Sequence, residues 1–117
     1  SGFYWRAKPV ASGVSVNGFQ VEVDSSFETG GLYETGGRAW VVKPDPAHIE
    51  KQAKYRPGEW TDLSMVVQGF DARVFINGRE TARLTNDTKG NAEGHFGLQL
   101  HGGMDMDVSF QDLEILD

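Results

Sequence analysis

The sequence contains no cysteine and comparatively few basic residues, and both features narrow the possible functions. Without cysteine, neither a disulfide framework nor a thiolate metal site can form. Seventeen Asp and Glu residues against eleven Lys and Arg residues give a formal net charge of -6. Nucleic acids and anionic membranes are poor partners for such a surface, because phosphates attract clustered Lys and Arg. Neutral or cationic ligands are therefore expected.

Long apolar runs and helical periodicity are also missing. No window approaches 18 apolar residues, which excludes a membrane-spanning helix. Short alternating runs instead recur between turns rich in glycine, of which the chain has 15. Alternation of this kind is typical of strands. We predict one all-β domain over residues 1–117, folded as an antiparallel β-sandwich.

Nine short strands are predicted, near residues 2–7, 18–24, 31–34, 38–43, 62–68, 72–77, 80–85, 95–101 and 107–116. Asn77-Gly78 lies between two of them and predicts a type I′ hairpin turn, since both central residues must adopt positive φ. In the last predicted strand the apolar side chains switch from one face to the other partway along. A bulge is therefore expected near Gln111-Asp112 to keep all of them inward.

One short helix of about two turns is predicted within residues 45–55. Asp45 can cap its first turn and Pro46 suits the first helical position, while Pro57 and Gly58 end it. Trp60 follows this stop signal, and we expect it to be the first residue of the next strand and to lie in the core. For Trp40 the sequence does not decide between a position in the core and a position on a sugar-stacking surface.

Side-chain alternation divides the first two strands into an apolar and a polar face. The apolar face of these strands contains Phe3, Trp5, Phe19, Val21 and Val23 and is expected to form core. The opposite face contains Tyr4, Arg6, Gln20, Glu22 and Asp24.

The stretch GHFGLQLHGG, residues 94–103, repeats this alternation. Phe96, Leu98 and Leu100 are expected to be buried on one face, which leaves Gln99 and His101 on the polar face. Gly102 and Gly103 would let the backbone turn away without shielding the imidazole. His101 is therefore the histidine most suited to a functional role.

Seven spaced stretches extend over nearly the whole chain: SGFYWR, GFQVEVD, TGGLY, RPGEWTDLSMVV, FINGRETARLTND, GHFGLQLHGG and VSFQDLEIL. Each alone is common, but the ordered set with its Leu-Gln-Leu-His run resembles the 3-keto-disaccharide hydrolase domain family. That family is built on the concanavalin A-like jelly roll. The resemblance implies a carbohydrate ligand, a glycosidase-type activity on sugars oxidised at C3, and a bacterial periplasmic or extracellular location.

The implied chemistry needs a base for the C2 hydrogen, which a C3 ketone acidifies, and a group that stabilises an enolate oxygen. From this resemblance we assign candidate catalytic roles to Glu22, His101 and Arg6. Candidate substrate-binding residues are Tyr4, Gln20, Asp24, Tyr33 and Gln99, with either tyrosine also a candidate stabiliser of the enolate.

Two departures from the family pattern limit this transfer. The family normally has further strands before the SGFYWR-like run, so this chain is expected to be the C-terminal two-thirds of a larger domain or a reduced variant. Another chain or segment is then expected to complete the sandwich. Gln20 also stands where the family often has Glu, which removes a carboxylate from the polar face.

Other functions stay open at this stage. Family-16 glycoside hydrolases use acids on one strand, but Glu28 would lie roughly 20 Å from Glu22 along an extended chain unless the loop after Asp24 folds back sharply. Retaining chemistry requires carboxyl groups about 5 to 5.5 Å apart. A non-catalytic carbohydrate-binding module and a structural interaction domain are the alternatives. A divalent metal is compatible with the chemistry, although the three histidines show no ligand spacing.

Overall fold

A computed structural model describes residues 1–11, 15–101, 103 and 105–116. It contains eight strands: β1 (Gly2–Pro9), β2 (Val16–Glu22), β3 (Leu32–Thr35), β4 (Ala39–Val42), β5 (Leu63–Gln68), β6 (Asp71–Ile76), β7 (Arg79–Leu84) and β8 (His95–Gln99). They form a five-stranded sheet in the order β4-β3-β2-β1-β8 and a three-stranded sheet in the order β5-β6-β7. Every pairing is antiparallel. The predicted all-β antiparallel sandwich is confirmed.

The main core lies between the two sheets. The larger sheet contributes buried side chains from β1, β2 and β3, and the smaller sheet contributes them from β6 and β7. The central residues are Trp5, Phe19, Val21, Leu32, Ala72, Val74 and Ala82. The alternation predicted for the first two strands is confirmed for Trp5 and Phe19, whose rings stack with centroids 5.0 Å apart.

The Asn77-Gly78 turn is confirmed. Asn77 has φ 50° and Gly78 has φ 79°, and Ile76 pairs with Arg79 across the turn. The Asn77 side chain also accepts a hydrogen bond from the Asp62 amide at 3.0 Å and donates one to the Ala53 carbonyl at 2.8 Å. These two hydrogen bonds therefore connect the turn to the segment that precedes the smaller sheet in the chain.

The predicted short helix is confirmed. Residues 46–52 are helical, with π-type hydrogen bonding over His48–Gln52, and the Asp45 carboxylate accepts a hydrogen bond from the Ala47 amide at 3.0 Å. Lys54 has φ 54°, a left-handed backbone conformation that ends the helical path. No helix in the described part of the chain is long and apolar enough to cross a membrane.

The three tryptophans have different environments. Trp5 is buried in the core, Trp40 is half-buried, and Trp60 is 64% exposed. The prediction that Trp60 opens a strand as a core residue is wrong, because β5 begins only at Leu63 and Leu63 itself packs against the core.

The predicted burial of the apolar face of β8 is also wrong. Leu98 pairs with Phe3 and lies on the inner face as expected, but it is 49% exposed, and Phe96 and Leu100 are exposed as well. The reason is the position of β8 at the edge of its sheet. The core side chains of the smaller sheet pack over β1 to β3, so no layer formed by the described residues covers β8 from the inside.

The strand predicted over residues 107–116 is not present. Residues 105–116 belong to no strand, and Leu113, Ile115 and Leu116 are exposed. A strand needs a hydrogen-bonded neighbour, and no described strand pairs with this segment. Asp112, at the predicted bulge, has φ 54°, so the backbone irregularity occurs there without the strand.

Candidate active site

The outer face of the five-stranded sheet brings most of the predicted polar residues together. Tyr4 pairs with Gln20, Gln20 with Tyr33, and Tyr33 with Trp40. One pleat further along, Gly2 pairs with Glu22 on one side and with Gln99 on the other. Residues at paired positions point to the same face of a sheet. The shared face therefore contains Tyr4, Gln20, Glu22, Tyr33, Trp40 and Gln99.

Glu22 lies between two glycines on this face. Gly2 is its partner on β1, and Gly31 lies opposite it on the other side, where the Glu22 amide donates to the Gly31 carbonyl at 2.9 Å. A Cβ atom at Gly2 would lie 2.2 Å from Oε1 of Gln20, and one at Gly31 would lie 2.7 Å from Cζ3 of Trp40. The two glycines therefore leave room for an amide on one side of Glu22 and an indole on the other.

Burial makes the Glu22 carboxyl group a much stronger base than an ordinary glutamate. Its side chain is only 16% exposed, and removal from water raises the pKa of Glu22 from 4.5 to about 7. The charges of Asp24 and Glu28 raise this pKa further, whereas those of the Ser1 amino group and His101 lower it. A carboxylate with a pKa near neutrality is suited to general base catalysis.

Gln20 and Tyr4 are buried although they lie on the polar face. The Tyr4 hydroxyl lies 2.9 Å from the hydroxyl of Thr35. Gln20 is 4% exposed, and its Oε1 atom has no hydrogen-bond partner among the described residues. A buried carbonyl oxygen without a partner is unusual, because native structures satisfy nearly all such groups. Gln20 therefore has an acceptor atom beneath the outer face that no described donor uses.

Asp24 follows β2 and organises the loop that leads to β3. Its Oδ1 atom accepts hydrogen bonds from the amide and the hydroxyl of Ser26, at 2.7 and 2.6 Å. The Thr29 hydroxyl donates to the Asp24 carbonyl at 3.0 Å. One oxygen of the Asp24 carboxylate is thus used within the loop, while its charge still acts on Glu22.

The same loop folds back sharply. The Gly30 amide donates to the Glu22 carbonyl at 2.9 Å, so the chain after Glu28 returns to the end of β2. The extended-chain separation between Glu22 and Glu28 therefore does not apply, because the loop after Asp24 folds back. The Glu28 carboxylate forms an ion pair with Lys43, with 3.5 Å between Oε1 and Nζ.

His101 lies two residues beyond the end of β8 and is exposed. Its charge lowers the pKa of Glu22. Gln99, on the same stretch of chain, belongs to the outer face. Gly102, also expected to shape this strand end, lies outside the described residues.

Arg6 is not on the polar face near Glu22, contrary to the prediction from alternation. It has φ 50°, and the register of β1 shifts between Trp5 and Lys8. A bulge of this kind breaks the alternation of side chains. Arg6 instead lines a small cleft that also includes Trp5, Phe19 and two acids, Asp71 and Asp87.

Metal ligands are not grouped in the part of the chain that the structure describes, where no three His, Asp or Glu side chains could hold an ion together. Asp105 and Asp107, in the segment after β8, are exposed.

Glu22 should make the protein less stable as the pH rises from about 4.5 to about 7. The folded state binds the Glu22 proton more tightly than the unfolded state does, so the stabilisation is complete below pH 4.5 and is lost through pH 7. The loss is at most about 3 kcal/mol. Urea denaturation at about pH 5 and pH 7.5 should show a smaller loss for Glu22→Gln than for the wild type. Equal losses would contradict the raised pKa.

The two sheets and the polar face around Glu22 define an antiparallel β-sandwich domain with a basic carboxylate on its larger sheet. The model of the 3-keto-alpha-glucoside-1,2-lyase-like domain family matches residues 1–116, and the chain belongs to this family. The resemblance seen in the sequence is thus confirmed. A comparison with curated proteins gives no match.

Proposed function

We propose that this domain cleaves glycosides whose sugar ring carries a ketone at C3, and that Glu22 is the base that starts the reaction. The observation that carries the proposal is the position of Glu22 on the outer sheet face. Its carboxyl group is mostly buried, has a raised pKa, and lies between Gly2 and Gly31 with the Gln20 amide and the Trp40 indole on either side. Family membership supports the same chemistry.

The proposed reaction is an elimination. The Glu22 carboxylate takes the proton from C2, and the electrons of the C–H bond move into an enolate with the C3 ketone. The enolate then collapses to a C1–C2 double bond, and the bond between C1 and the glycosidic oxygen breaks. The leaving oxygen takes up a proton. Addition of water to the double bond, with return of a proton to C2, completes a net hydrolysis.

The polar face offers the groups that this reaction needs besides the base. The unpartnered Oε1 of Gln20 can accept a hydrogen bond from a sugar hydroxyl, and Gln99 provides an amide on the opposite side of Gly2. The Tyr33 phenol lies on the same face and can donate to an enolate oxygen. His101, whose charge acts on Glu22, is the candidate donor of a proton to the leaving oxygen.

Hydrogen exchange at C2 gives the most direct test. Methyl 3-keto-α-glucoside incubated with the protein in D₂O should gain deuterium at C2, and methanol should be released. A chain that binds the sugar without exchange at C2 and without release would be a carbohydrate-binding module instead. The half-buried Tyr33 and Trp40 rings favour that second function over a purely structural one.

Replacement of His101 by alanine should lower turnover by about a hundredfold, the usual scale for loss of one proton-transferring group. The melting temperature should change little, because the side chain is exposed. Exchange at C2 and release of the leaving group are measured separately. Unchanged release in His101→Ala would show that the imidazole takes no part in the reaction.

A further inference from the structure

The aromatic pair Tyr33–Trp40 extends the outer face beyond Glu22, towards the edge strand β4. The two rings meet edge to face, with centroids 5.5 Å apart and planes at 89°. The register of β3 against β4 shifts between Leu32 and Tyr33, so Val41 and Val42 both pack against the core. Trp40 therefore lies on the outer face and is not part of the core.

Trp40 reaches from β4 back towards Glu22. Its Cζ3 atom lies against the backbone of Gly31, at the place where any side chain would clash. Gly31 is the cross-strand neighbour of Glu22, and adjacent strands are about 4.8 Å apart. The indole therefore begins one strand away from the catalytic carboxylate, on the same face.

Lys43 shows that a face of the indole can be reached from solvent. Its ammonium nitrogen lies 5.2 Å from the Trp40 ring centroid, and its side chain is 59% exposed. Glu28 holds the same ammonium group in an ion pair. A flexible, exposed side chain is readily displaced from a ring face, and an aromatic face attracts polarised C–H groups as it attracts a cation.

We propose that Tyr33 and Trp40 are the residues that contact the sugar ring attached through C1, the leaving group, and so determine how strongly this chain distinguishes a disaccharide from a simple alkyl glycoside. This inference rests on the proposed function, which fixes the position of the oxidised ring. C2 of that ring must contact Glu22, so the ring lies over the Glu22 carboxyl group, between the Gln20 amide and the Trp40 indole. In an α-glucosyl disaccharide the only neighbouring ring is the one joined through C1, and the aromatic pair is next to that space.

The test compares two substrates with the same oxidised ring. One is maltose oxidised at C3 of its non-reducing ring, and the other is methyl 3-keto-α-glucoside. Trp40→Ala should lower the ratio of kcat/KM for the disaccharide to kcat/KM for the methyl glucoside by about tenfold or more. Trp40→Phe should restore part of this ratio. Trp60→Ala removes an exposed tryptophan from another part of the molecule and should leave the ratio unchanged.

Equal losses on both substrates in Trp40→Ala would overturn the inference and leave the proposed function intact. If the wild type cleaves neither substrate, the proposed function fails, and titration with unoxidised maltose decides the inference by itself. Weaker maltose binding in Trp40→Ala than in Trp60→Ala would support the aromatic subsite. Equal binding in the two variants would overturn it.

Discussion

Glu22→Gln is expected to lower turnover of a 3-keto-glucoside by about a hundredfold or more, the scale of a lost general base. Glutamine keeps the size of the side chain and its place between Gly2 and Gly31, but it cannot accept the C2 proton. Deuterium exchange at C2 should fall together with release of the leaving group. Loss of release with normal exchange would show that another group removes the proton.

The pH dependence of kcat/KM is a second test of the role of Glu22. Glu22 acts as a base only when ionised, so kcat/KM of the wild type should rise with pH up to about 7 and then level off. The residual activity of Glu22→Gln should lack this rise. A profile that levels off near pH 4.5 would mean that the carboxyl group is not desolvated during the reaction.

Glu28→Gln is the matched control. Both variants exchange a carboxylate for an amide at the same end of the sheet, and the loop brings Glu28 back towards Glu22. In the proposed elimination Glu28 has no direct part, so its variant should keep most of the wild-type turnover. A two-carboxylate mechanism of the family-16 type would instead lose activity in both variants.

Alternation alone was sufficient to assign the outer face in regular strands. Tyr4, Gln20 and Glu22 share a face because β1 and β2 pair in register there. The same rule failed for Arg6, since a bulge after Trp5 changes the direction of the chain. Alternation within one strand does not show where a bulge interrupts its pairing with the neighbouring strand.

The surroundings of Glu22 depend on pairing that a single sequence does not specify. Gly31 was visible as a residue of a glycine-rich turn, but its place opposite Glu22 follows from the folded-back loop. The position of Trp40 likewise follows from the register shift between β3 and β4. The raised pKa of Glu22 results from this arrangement, so no motif could have predicted it.

Burial of β8 was mispredicted for a different reason. The alternation of Phe96 and Leu98 correctly gives the face that they occupy, but burial also requires a second layer over that face. The smaller sheet has only three strands, and its core residues lie over the other strands of the larger sheet. A pattern within one strand contains no information on how far an opposing sheet extends.

Leu32→Ala should destabilise the fold by about 2 to 5 kcal/mol, the usual cost of a cavity in a well-packed core. Leu32 lies on β3 between the two sheets with no exposed surface, in contact with the cluster around Val21 and Val74. The surrounding strands hold their positions through backbone pairing, so the space cannot close easily. Urea denaturation of the wild type and the variant gives the difference in the free energy of unfolding.

Leu98→Ala is the control with identical chemistry. Leu98 also lies on the inner face of the larger sheet, but it is about half exposed, so the same truncation should cost less than about 1 kcal/mol. A difference of this size between two leucines on one sheet face would show that the opposing layer, rather than the strand pattern, determines the stabilisation. Comparable losses in both variants would mean that the inner face of β8 is covered in solution.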